Sequence, residues 1–143
     1  MSTDNERRAK SLNKMHVLLD SRKETLALYN QLAGLRPFNS EEDVHLVLQE
    51  FCESLMDYTA SAHFQLYRFI EDDSERRVTV KNVAEKVYPN ISSTTEYFLD
   101  FNEKYDSNKK VENLQGLDSD LSSLGEMLAD RILLEDQVIT AFQ

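Results

Sequence analysis

The side chains of this chain that could do covalent or acid–base chemistry are few, and their spacing decides what is open to them. Cys52, Met56, Thr59, His63 and Tyr67 step by three or four residues along one helical segment, which places a thiol and an imidazole on related faces. A thiolate needs a base within hydrogen-bond reach, whereas the 11 residues between Cys52 and His63 amount to about 16 Å of helix at 1.5 Å per residue. The two cannot form a nucleophile–base pair, and Cys52 is expected to be a small buried hydrophobe. No other nucleophile stands near a base, so no enzymatic activity is expected.

Glu42-Asp43-Val44-His45 matches the Glu-x-x-His unit of di-iron helical bundles. Such a centre needs two of these units and two further carboxylates, and neither His16 nor His63 has a Glu three residues before it. No metal and no cofactor are expected, and with only 3 Gly there is no loop to cradle a phosphate.

Two acids and one aromatic stand out. Glu135 falls on the apolar stripe of the last helical segment, so its carboxylate is either hydrogen-bonded in a polar cavity or displaced to the bundle edge. Asp57 shares a face with Ser54, Ser61 and Arg68, opposite the apolar stripe of its own helix. Phe64 projects beside Asp57, roughly opposite Phe51 and Leu66, as an interface aromatic or as one packed on a neighbouring helix.

Four amphipathic segments must position these residues. The first carries Leu12, Met15, Leu19, Leu26, Tyr29 and Ala33, with Arg22 laid along the same face, and should stop at Gly34 in the left-handed position, with Pro37 beyond it. The second is capped by Ser40 ahead of Glu41, Glu42 and Asp43, and buries Val44, Val47, Leu48, Phe51, Leu55, Tyr58, Ala62, Leu66 and Phe69 within about 100° of the helical wheel. After a polar turn at 71–75, Val80, Val83, Ala84 and Val87 form a short helix that Pro89 breaks or kinks; Ile91, Thr94, Phe98, Phe101 and Tyr105 continue it. A loop at 107–116 leads to a last helix, capped by Asp118 or Ser119, with the stripe Leu121, Leu124, Leu128, Ile132, Glu135, Ile139 and Phe142. None of these helices buries its stripe alone. The fold expected is therefore all-α: one domain, an antiparallel four-helix bundle with its third helix kinked or broken at Pro89.

The chain has 143 residues, enough for one core, and its 26 acidic against 16 basic side chains give a formal net charge of −10. That charge opposes nucleic acid and anionic membranes and favours a basic protein partner. Six of the basic residues, Arg7, Arg8, Lys10, Lys14, Arg22 and Lys23, lie in the first segment, so the rest of the molecule is more acidic still. A polar start, a lone cysteine and the lack of any long apolar run point to the cytoplasm, where the sequon Asn90-Ile91-Ser92 would go unused.

The segment Phe51-Cys52-Glu53-Ser54-Leu55-Met56-Asp57-Tyr58, followed by His63-Phe64 and Tyr67, resembles the core pattern of the regulator of sigma D family, the Rsd/AlgQ proteins. Lys86-Val87-Tyr88-Pro89, the run from Asp100 to Asp106, Leu124-Gly125-Glu126 and Leu133-Leu134-Glu135-Asp136 extend the resemblance in the same order, from about Leu26 to Ile139. Ala60-Ser61-Ala62 and Arg68 depart from the usual family residues, which bears on interface detail.

The resemblance implies an anti-sigma factor, a four-helix bundle that binds the primary sigma factor of RNA polymerase at its C-terminal, −35-reading domain. The net charge argues against direct contact with DNA, and the surplus apolar surface is compatible with a monomer or weak dimer. Phe51, Asp57, His63, Phe64 and Tyr67 on the second helix and Glu135 on the last are the partner-binding residues the resemblance suggests, with Phe38 as a further apolar anchor. The alternative reading is a bundle whose interior polar pocket, formed by Asp57, His63, Tyr105 and Glu135, binds a small molecule or metal.

Overall fold

The computed structural model describes residues 3–38, 42–67, 78–105, 114 and 116–142, with side chains described from Met15 onward except those of Glu42, Tyr67, Thr79 and Phe142. The expected cap at Ser40, the turn at 71–75, most of the 107–116 loop, and the side chains of Leu12, Tyr67 and Phe69 lie outside the described residues.

Among the described residues there are four long helices: α1 (Thr3–Ala33), α2 (Glu42–Ala62) extended by a π-helical turn (His63–Tyr67), α3 (Val78–Tyr105) and α4 (Leu117–Phe142). Cross-helix pairs run in opposite order wherever two helices meet. Thr25 meets Ser54 and Tyr29 meets Phe51 between α1 and α2. Thr94 meets Arg131 and Tyr105 meets Asp120 between α3 and α4. Arg22 meets Glu135 and Tyr29 meets Leu121 between α1 and α4. With α2 against α3 through Phe51 and Phe101, the result is an antiparallel four-helix bundle closed into a ring.

The α2 stripe is buried as its spacing requires, from Val44 to Leu66. Tyr58 and Leu66 are eight residues apart, which turns Leu66 about 80° from Tyr58 on an ideal α-helix. The wider π turn recovers that drift, so Leu66 is fully buried while His63 and Phe64 face outward. The α1 register differs from the expected one. Met15 is buried, but the centre of the face is Leu18, Thr25 and Leu32 at seven-residue spacing, with Leu19, Leu26, Tyr29 and Ala33 only partly buried. Thr25 is accepted there because its hydroxyl reaches the Ser54 hydroxyl at 2.8 Å and the Ser54 carbonyl at 3.1 Å. Ser54 is thus interior, not on an exposed face shared with Asp57.

Pro89 lies within α3 and does not end it. Val87 and Ile91, on either side, are both 2% exposed. Their burial holds the turn in place, and the backbone donor that proline lacks is missing on the exposed side of the helix. Two further corrections concern helix ends. Gly34 is not left-handed, and α1 closes instead through Gly34 N–H to Asn30 O at 3.0 Å and Leu35 N–H to Leu32 O at 3.0 Å. Helix α4 starts at Leu117, with Gly116 O accepting from Asp120 N–H at 3.0 Å, so Asp118 and Ser119 lie in the first turn instead of capping it.

Glycine is required at position 125. A Cβ there would stand 2.2 Å from Tyr29 Oη and 2.8 Å from its Cζ. Tyr29 donates to the Leu121 carbonyl at 2.9 Å, so the ring crosses α4 where only a hydrogen atom fits.

Lys104 and Tyr105 at the end of α3 both donate to Asp120 in the first turn of α4. Partial burial raises the Asp120 pKa, but these two hydrogen bonds outweigh it and hold the carboxyl below its usual 3.8. A depressed carboxylate pKa contributes stability above the unfolded-state value and loses it as pH falls through the folded one. Asp120→Asn should therefore unfold at lower denaturant than the parent near neutral pH, with the gap closing below about pH 4. A gap that persists in acid would assign the effect to packing.

Candidate functional site

The centre of the bundle holds an ion cluster. Glu135 is fully buried, and its carboxylate accepts from Arg131 Nε at 3.0 Å, from the Tyr58 hydroxyl and from Arg22 Nη1 at 3.4 Å. Arg131 is 1% exposed; its Nη1 donates to Thr94 Oγ1 at 3.1 Å and Thr95 Oγ1 at 2.7 Å, and its guanidinium lies over the rings of Tyr58 and Phe98. Arg22 also pairs with the half-exposed Asp136 at 3.0 Å. All four helices contribute, so the cluster fixes their relative register. Burial, reinforced by the Glu135 charge, pushes the Tyr58 phenol far above its usual range. Tyr58 therefore stays a proton donor within the cluster, and the network is a structural clasp.

Two features open outward from the end of α2. At the π turn His63 and Phe64 are exposed, Phe64 by 53%, with their rings edge to face at 5.7 Å. One local widening of a helix is a frequent mark of a functional position. Beside these rings a cleft of about 240 Å³ runs between α2 and α3, walled by Phe64, Tyr88 and Ile91 and reaching Arg131. On the other side of α2, against α1, a groove of about 510 Å³ carries four carboxylates, those of Glu24, Glu50, Glu53 and Asp57.

The residues singled out by sequence divide sharply. Asp57, His63 and Phe64 are exposed and share the end of α2. Phe38 is half-buried against the core. Phe51 and Glu135 are interior, with no side-chain surface to offer a partner, and the edge placement left open for Glu135 is excluded by its pairing with Arg131. Cys52 is buried, with its thiol 3.9 Å from the Tyr105 carbonyl. The alternative pocket is not assembled: Tyr105 binds Asp120, Glu135 binds Arg131, and Asp57 and His63 face solvent. Among the described residues no cluster of three or more His, Cys, Asp or Glu is placed to hold a metal, and no helix is long and apolar enough to cross a membrane.

Sequence reasoning missed Arg131, the largest fully buried side chain. The signal was present: Arg131 precedes Glu135 by four residues, the spacing of an ion pair on one helix face. Its burial, with Val138, moves the α4 stripe off the partly buried Ile132.

The fold and site can be set beside known proteins. The chain matches over residues 1–143 the family model described as regulator of RNA polymerase sigma(70) subunit, Rsd/AlgQ. It is 32% identical over 128 residues to the regulator of sigma D of Shigella dysenteriae serotype 1 (strain Sd197), covering 85% of this chain and 78% of that protein. The regulator of sigma D of Escherichia coli (strain K12 / DH10B) is similar to the same extent, 32% over 128 residues. No solved structure gives a match. The antiparallel bundle, the motif-bearing second helix and these relationships lead to one conclusion: the chain belongs to the Rsd/AlgQ family of regulators of the RNA polymerase sigma(70) subunit.

Proposed function

We propose that this protein is an anti-sigma factor that binds the primary sigma factor at its C-terminal, −35-reading domain and withholds it from RNA polymerase in the cytoplasm. The observation that carries this reading is the pairing, on one end of α2, of an exposed aromatic with an acidic groove. Phe64 and His63 stand at the π turn, and Asp57, Glu53 and Glu50 line the groove about two to four turns earlier. A domain that reads DNA carries a basic surface, so the carboxylates speed and orient encounter, while Phe64 is desolvated on docking and sets the lifetime of the complex. Tyr67 is a candidate on the family pattern alone, and Phe38, half-buried four residues before α2 begins, is a separate candidate anchor away from this end of the helix. Phe51 and Glu135 act on it only indirectly, by holding α2 and α4 in place.

Titrating the purified protein with the sigma C-terminal domain should give a one-to-one complex that weakens as salt rises. Absence of a complex at low salt and micromolar concentrations would end this assignment. Phe64→Ala and Asp57→Ala should each weaken the complex by about 1–2 kcal/mol, while unfolding midpoints move little because both side chains are exposed. Equal losses of affinity and stability would place them in the core's service.

A further inference from the structure

The cleft between α2 and α3 is chemically unlike the rest of the surface. In a chain of net charge −10, none of the described residues that line it is a carboxylate, while Arg131 reaches it from the interior. Arg131 is 1% exposed, and Nε and Nη1 are committed to Glu135, Thr94 and Thr95. Nη2 has no hydrogen-bond partner among the described residues and is the donor left for the cleft. The Glu135 carboxylate is shared among Arg131, Arg22 and Tyr58, and Arg22 also pairs with Asp136, so Nη2 remains a charge-assisted donor that no described carboxylate engages. Above it stand two exposed rings, Phe64 at 53% and Tyr88 at 41%, with buried Ile91 behind them.

We propose that this cleft is a binding site for a small organic oxyanion, a carboxylate or phosphate on a flat apolar body. The head accepts from Arg131 Nη2, and the body lies between Phe64, Tyr88 and Ile91. A desolvated guanidinium at the end of an apolar slot gives both affinity for the head and discrimination against a neutral analogue, because an uncharged hydroxyl accepts a weaker hydrogen bond there. The site stands on the cleft itself and does not depend on the identity of the protein partner.

The test is a titration of the full-length protein followed by NMR, with benzoate and phenyl phosphate as probes and benzyl alcohol as the neutral control. Saturable shifts at Phe64, Tyr88 and Ile91 are expected, with a dissociation constant of about 1 mM for the better oxyanion and at least about tenfold weaker binding of benzyl alcohol. Binding of either oxyanion alone supports the site and names its head group. Ala60→Trp fills the cleft from an exposed position and removes no member of the ion cluster, so that variant should fold and lose the shifts. No saturable shift up to about 10 mM, equal binding of benzyl alcohol, or binding that survives in Ala60→Trp would overturn the proposal.

Discussion

Glu135→Ala is expected to lower the unfolding free energy by about 3–5 kcal/mol, read as a fall in the denaturation midpoint, because it leaves a charged guanidinium buried without its carboxylate. Arg131 is 1% exposed and would keep only two threonine hydroxyls and two ring faces. Tyr58, whose hydroxyl donates to Glu135, would lose its acceptor at the same time. A double replacement, Arg131→Met with Glu135→Leu, removes both charges and should recover much of the loss, since apolar side chains of similar volume often replace a buried ion pair without penalty. If the single variant were as stable as the parent, water or a rearranged Asp136 carboxylate would have to satisfy Arg131, and the clasp would not hold the bundle.

Phe51→Ala should be comparably damaging, about 3–5 kcal/mol, through lost burial and the cavity left behind. Phe51 is fully buried, edge-on to Tyr29 at 5.9 Å and to Phe101 at 6.0 Å, so one ring joins α1, α2 and α3. Its effect on sigma binding is the informative part. Measured on protein kept folded, affinity should change by less than about 0.5 kcal/mol, as for residues outside a contact surface. A larger loss in folded protein would restore Phe51 to the interface that its motif suggested.

The contrast between Phe51 and Phe64 explains how the motif could be read and its geometry misjudged. Both aromatics belong to one family pattern, but a pattern records which residues recur and not whether they face inward. The helical wheel separated them correctly, since Phe51 falls on the apolar stripe of α2 and Phe64 does not. Proximity within a motif then grouped them as one surface, which burial contradicts.

The sequence by itself determined the four helices, the buried face of α2, the antiparallel bundle, the absence of a Cys–His pair and the family resemblance. Each of these follows from local periodicity or from the order of residues along the chain. Only the tertiary structure decided that Pro89 lies inside a helix, that Leu18, Thr25 and Leu32 form the α1 face, and that Glu135 is clasped by Arg131, Tyr58 and Arg22. The reason is common to all three: a proline, a threonine or an ion pair is unfavourable in a helix or core taken alone. Whether it is tolerated depends on side chains from other helices, whose positions no spacing along the chain records.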